Sequence, residues 1–180
     1  MPTDTVSGIG CLASSPAGVR KIFRIKGREW NKPLILFVTN IAEAERITGR
    51  LPERVKVLLG LCWPGSLTAI LPLGIRLPRG VGHAGTVGIR IPAHPVPRAL
   101  VRLARGPLAT TSANVSGDDP VRDSGRVRDV LGSRVFPVPG RCGRTPSTVA
   151  DLTIWPPRVI RRGAFPVPRF LRLVGSVANR

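Results

Sequence analysis

The chain has 180 residues, enough for one domain with a real core, and 42% of them are hydrophobic, which excludes a disordered chain. Lys and Arg number 28 against 10 Asp and Glu, a formal charge of +18, so polyanions are the natural partners and their binding should depend on salt. Aromatic residues make up only 4%, with no tyrosine, which leaves few stacking platforms for single-stranded bases.

In chain order, Met1 to Gly10 (MPTDTVSGIG) reads as a polar, glycine-rich loop with exposed hydroxyls and amides. The start carries neither a basic n-region nor an apolar h-region, so no signal peptide is read. Ser15 and Pro16 are suited to N-cap and first-turn positions of a helix over Ala17–Ile25, with Val19, Ile22 and Phe23 on one side. Leu34–Val38 is a continuous apolar run, as in a strand buried on both faces. Asn40 with Glu43 forms a capping box for a helix ending at Gly49, and a second helix is expected over Pro52–Leu61.

Leu67–Leu73 and Thr86–Ile91 read as strands, and Pro95–Arg105 as a helix. A short strand at Leu108–Thr111 enters the small polar loop Ser112–Gly117; Asp123–Leu131 should be helical and Val135–Val138 an edge strand. Thr148–Leu152 and Arg158–Arg161 close the series of strands. The segment after Ala164 is a Pro/Arg-rich tail, either a short helix or loose. Strands and helices without strict alternation give an α/β or α+β class with a mixed sheet, and one domain over 1–164 followed by a tail over 165–180.

Lys26, Arg28 and Lys32, at spacings of two and four beside Gly27 and Pro33, suit a polyanion: lysine as a compact charge, arginine as a flat fork for phosphate oxygens. Thr3-Asp4-Thr5, Thr86–Arg90, Thr110–Asn114, Ser147-Thr148 and Arg161 are hydroxyl, amide or cationic groups at strand ends, where α/β proteins place ligand sites. His83 and His94 lie in Gly/Pro contexts, so no Ser-His-Asp set arises, and there is neither a Walker loop nor a GxGxxG. Cys11, Cys62 and Cys142 are far apart and fit a reducing cytoplasm rather than a disulfide framework or a zinc site. No apolar run is long enough for a membrane span, so no membrane partner is read. Cations and hydroxyls without an evident base point to nucleotidyl or phosphoryl chemistry run by positioning and charge neutralisation.

Together these segments resemble a known family. PTDTVSGIG resembles the PTDTVYGLG opening of the YrdC-like family of threonylcarbamoyl-AMP synthases; KIFRIKGREWNKPL resembles its K-x-R…KPL segment, and WPGSLT its WPGPLT. TVGIRIPAHP, TTSANVSG, STVADL and RVIRRGA follow in family order, so the resemblance covers Pro2 to about Ala164. It implies a twisted mixed sheet with flanking helices and a concave basic face. It also implies that L-threonine, bicarbonate and ATP, with Mg²⁺ accompanying the nucleotide, give threonylcarbamoyl-AMP and pyrophosphate. A downstream threonylcarbamoyl-transferase complex then modifies tRNA, and some members bind double-stranded RNA.

Carried over by position, Lys26 and Arg28 are the catalytic cations. Lys26, Arg28, Lys32, Thr86, Ser112, Asn114 and Arg161 meet ATP, and Thr5, Arg90, Thr110 and Ser147 meet threonine or the carbamate. Arg90 is expected to pair with the amino-acid carboxylate through both prongs of its fork. The sequence departs from the family at Ser7, where the family has tyrosine, at Phe37, and at Val138-Pro139-Gly140, where it has DGG. It also lacks the helix and strand that precede PTDT in the family, so a bare strand edge with apolar surface beside it is expected there. The alternatives are a double-stranded RNA- or tRNA-binding module and a truncated, inactive copy of the synthase.

Overall fold

The computed structural model describes residues 1–119, 121 and 123–178. In chain order the elements are β1 (Gly8–Leu12), α1 (Pro16–Lys26), β2 (Ile35–Phe37), α2 (Ile41–Thr48), α3 (Glu53–Cys62), β3 (Leu67–Pro72) and β4 (Thr86–Arg90). They continue with α4 (Pro95–Leu103), β5 (Leu108–Ser112), a 3₁₀ turn (Ser124–Arg126), α5 (Val127–Leu131), β6 (Thr148–Asp151), β7 (Arg158–Arg161) and α6 (Val167–Ala178). The strands form one seven-stranded mixed sheet in the order β1-β5-β2-β4-β3-β6-β7. β2–β4 and β3–β6 are parallel and the other neighbours antiparallel, which is the mixed α/β class expected.

The local signals act as read. Ser15 Oγ accepts the Gly18 amide at the start of α1, and Asn40 Oδ1 accepts the Glu43 amide at the start of α2. Glu43 reaches back one residue further than a capping box requires, accepting the Thr39 amide at 2.7 Å and the Thr39 hydroxyl at 2.8 Å. The start of α4 was not legible as a cap: His94 Nδ1 accepts the Val96 amide, a structural role for that histidine.

Gly8–Leu12 is a strand, not part of a loop. Its glycines hid it by their low strand propensity, yet Gly10 is required there, since a Cβ would lie 2.9 Å from Thr110 Cγ2 on β5. On its other side β1 pairs, among the described residues, at Gly8 alone, which exchanges two hydrogen bonds with Met1. An apolar cleft of about 660 Å³ runs beside it, lined by Met1, Leu100, Leu103, Leu108, Val135 and Phe136 among others. Val135–Val138 forms no strand; Pro137 removes a ladder donor, and Val135 instead packs with Ala113, Val127 and Leu131.

The alternation of the strands divides the molecule. Leu36, Val38, Val87, Ile89 and Ala109 enter the main core with Val19 and Ile22 of α1 and Leu58 and Leu59 of α3. Phe170, Val174 and Val177 of α6 join the same core, with α6 lying on α3, so residues 167–178 are a packed helix rather than a loose tail. Residues 179 and 180 of that tail lie outside the described residues. On the opposite face of the sheet stand Ile35, Phe37, Leu108 and Thr110, because Ile35 is paired with Thr110 and Phe37 with Leu108. Val101 of α4 covers Phe37 and Leu108, and the rest of that face stays open as a cavity.

Candidate active site

The cavity on this face has a volume of about 200 Å³. Thr3 and Thr5–Gly8 supply one wall, Arg28 and Pro33 another, and Ile35, Phe37, Arg90 and Thr110–Ser112 the floor; Pro146, Ser147 and Arg161 complete it. Gly88, next to Ile35 on the neighbouring strand, keeps the floor flat: a Cβ there would meet Ile35 Cγ2 at 2.9 Å. Of the residues predicted from sequence, Thr5, Arg28, Arg90, Thr110, Ser112, Ser147 and Arg161 thus come together. Lys26, Lys32, Thr86 and Asn114 are not in the lining.

Arg28 and Arg161 share one arrangement. Arg28 donates from Nε to Lys32 O (2.6 Å) and from Nη2 to Pro33 O (3.2 Å). Arg161 donates from Nε and Nη2 to Ser147 O, at 3.2 and 2.8 Å, and from Nη2 to Ser147 Oγ at 3.3 Å. Among the described residues neither Nη1 has a partner, so each guanidinium is fixed by its own loop and keeps donors for a ligand. Burial lowers the pKa of both below the usual arginine value, although arginine this far from neutral pH stays charged. A desolvated cation with unspent donors is a strong anion receptor.

Lys26 is placed differently from its expected role as a contact to phosphate. It is buried at the end of α1, and its ammonium donates to Ser112 O (2.6 Å), to Asn114 O and to Asn114 Oδ1 (3.2 Å). A lysine has three hydrogens to donate, and all are used on this loop. Asn114 then donates to Val115 O (2.7 Å) and Asp118 O (2.8 Å), while the Ser116 amide donates to Lys26 O. The two therefore shape the Ser112–Ser116 loop. Burial, with the nearby charge of Arg28, lowers the Lys26 pKa to about 8. Lys32 is exposed and paired with Glu29 at 2.8 Å, and the Thr86 hydroxyl donates to His83 O.

Arg90 lies in the cavity floor. It is 2% exposed, and its fork is already held: Nη2 lies 2.7 Å from Asp4 Oδ2, Nη1 donates to Thr5 Oγ1 (2.7 Å) and Nε to Gly65 O (2.8 Å). The Phe37 ring lies 5.7 Å from its guanidinium carbon. Nη2 has no hydrogen-bond partner among the described residues beyond that ion pair with Asp4, so the guanidinium is not fully spent. Burial lowers the Arg90 pKa and Asp4 opposes that shift. Asp4 and Gly65 were not legible as its partners, nor Ile35 as apolar floor; Phe37, singled out as a departure from the family, does lie in that floor. Only the proximity of an acid to Thr5 in Thr3-Asp4-Thr5 hinted at the first.

Among the described residues, no three His, Cys, Asp or Glu side chains come together to hold a metal ion. Nor is any helix among them long and apolar enough to cross a membrane.

A mixed sheet with a small cavity of fixed guanidiniums and hydroxyls on one face defines an α/β protein with a cationic cavity, and comparison with known proteins narrows the class. The Sua5_yciO_yrdC family, described as "Telomere recombination", matches residues 1–163, and the chain belongs to that family. It is 35% identical to the threonylcarbamoyl-AMP synthase of Pyrococcus abyssi over 98% of this chain and 53% of the relative. It is 40% identical to that of Bacillus subtilis over 74% of this chain and 39% of the relative. The chain thus spans about half, or less, of these relatives' length. The structure of P. abyssi Sua5 complexed with L-threonine superposes with a TM-score of 0.90 at 34% identity, covering 97% of this chain and 52% of that one.

Proposed function

We propose that the chain is a threonylcarbamoyl-AMP synthase, joining L-threonine, bicarbonate and ATP into L-threonylcarbamoyladenylate with release of pyrophosphate. The observation that carries this reading is the cavity itself. It sets two guanidiniums with unspent donors, Arg28 and Arg161, beside the hydroxyls of Thr5, Thr110, Ser112 and Ser147, in a chain 34% identical to a protein crystallised with L-threonine.

The chemistry needs the threonine amine to form a carbamate, a carbamate oxygen to attack the α-phosphorus, and pyrophosphate to leave. Arg28 and Arg161 neutralise the anions drawn together, and their fixed loops spare reorganisation as charge shifts to the leaving pyrophosphate. At about 200 Å³ the cavity fits an amino acid and the reacting phosphate rather than a whole nucleotide. Lys26 and Asn114 act by shaping the loop that carries Ser112. Any Mg²⁺ enters with ATP as part of the substrate, since no acidic cluster among the described residues offers it a cage.

The +18 charge supports tRNA as the polyanion served, through a downstream threonylcarbamoyl-transferase complex. The free thiols Cys11, Cys62 and Cys142 suit the cytoplasm. The test is pyrophosphate release by the purified chain. Release that requires threonine, bicarbonate and ATP together supports the reading, and release indifferent to threonine overturns it.

A further inference from the structure

Trp30 follows Arg28 by two positions on the same loop, and the proposed chemistry gives it no role. Its side chain is 39% exposed, yet it is not a bare platform for a base. The ring lies on Phe23 of α1, with centroids 4.1 Å apart and planes within 10° of parallel. The Arg79 guanidinium carbon stands over the same ring, 4.9 Å from its centroid. Gly80 closes against both rings: a Cβ there would lie 2.6 Å from Phe23 Cε2 and 3.0 Å from Trp30 Cζ3, and its φ of +93° also favours glycine. Stacking and a cation over an indole both fix the plane of the ring.

The ends of the loop are tied to the same two places. The Arg28 amide donates to Phe23 O at 3.0 Å, just beyond the left-handed Gly27, and the Leu34 amide donates to Gly80 O at 2.7 Å. Between them the chain makes one turn, in which the Lys32 amide donates to Glu29 O at 3.1 Å. The far side of that turn carries Lys32 O and Pro33 O, the two carbonyls that receive Arg28 Nε and Nη2. Arg28 is therefore aimed by backbone that lies beyond Trp30 in the chain. If the turn shifts, those acceptors shift with it, and the guanidinium regains rotamers that an incoming anion must then freeze out.

We propose that Trp30 is a positioning residue: stacked on Phe23 with Arg79 over it, Trp30 holds the Glu29–Pro33 turn so that Arg28 presents its unspent Nη1 to an anion in the cavity. This rests on Arg28 as the anion receptor, as the synthase reading assigns it, but does not depend on turnover.

The test is equilibrium binding of inorganic pyrophosphate, measured by calorimetry in a double-mutant cycle. Trp30→Leu keeps an apolar side chain but loses the flat stack, and should weaken binding about tenfold. Trp30→Phe keeps a flat ring and should stay within about twofold of wild type. In an Arg28→Ala background, Trp30→Leu should change the affinity by less than about twofold, because the group it positions is gone. A tryptophan that serves only the fold would leave affinity alone or act equally in both backgrounds, and either result overturns the proposal. So does a Trp30→Phe chain that binds as weakly as Trp30→Leu, or an Arg28→Ala chain that binds as wild type. If Trp30→Leu fails to fold, the exposed Arg79 decides: Arg79→Ala should weaken binding about threefold while Arg28 is present and not in its absence, and an equal effect in both backgrounds overturns the proposal. Pyrophosphate binding that follows the cycle, in a chain without threonine-dependent turnover, overturns the synthase reading alone.

Discussion

Arg28 and Lys26 stand two residues apart and do different work, because one ends at a cavity and the other in a loop's backbone. Arg28→Ala removes a fixed donor from the site while the carbonyls of Lys32 and Pro33 remain near solvent. It should lower kcat by about 10²- to 10³-fold with little change in melting temperature, as initial rates and thermal unfolding will measure. Lys26→Met should act on stability, with a sign that depends on pH. Lys26 titrates near 8 when folded and near ~10.4 when unfolded. Between those values the unfolded chain holds more protons, so stability rises with pH. Urea unfolding from pH 8 to ~10.4 should therefore show the wild type gaining stability relative to Lys26→Met across that window. A flat difference would mean that the buried ammonium keeps its proton throughout.

Elements were legible where the local code is self-contained. Ser15-Pro16, Asn40 with Glu43, and the apolar runs at Leu34–Val38 and Leu67–Leu73 each carry their own signal, and each became an element within a residue or two. β1 was not legible, because glycine suits a strand only when a distant partner needs the space, and Thr110 lies a hundred positions away. The residues of the cavity were legible as types, through motifs at strand ends. Their roles were not: Arg90 and Lys26 are assigned by what stands opposite them, and Asp4 and the Ser112–Asn114 carbonyls come from other parts of the chain. The packing of α6 was masked by Pro166, Pro168, Arg169 and Arg172, although Phe170, Val174 and Val177 recur at helical spacing. Its contribution can be measured, since Phe170 is fully buried between α6 and the main core. Phe170→Ala should cost about 3–5 kcal/mol in chemical denaturation. A cost under about 1 kcal/mol would show α6 to be a dispensable tail.

At the scale of the whole molecule, a charge of +18 on 180 residues gives long-range attraction for polyanions, while Arg28 and Arg161 stand in the cavity lining. The two effects separate experimentally. Binding of tRNA should weaken by ~0.7 to 0.9 log unit per log unit of salt for every phosphate contacted. Arg28→Ala, whose guanidinium is turned inward to the cavity, should leave that slope unchanged, as filter binding or fluorescence anisotropy will read. The synthase reading is tested most directly by the fate of bicarbonate carbon. With isotope-labelled bicarbonate, L-threonine and ATP, mass spectrometry should find the label in an adenylate carrying both threonine and AMP. Threonyl-AMP without the bicarbonate carbon, or AMP alone, would contradict it.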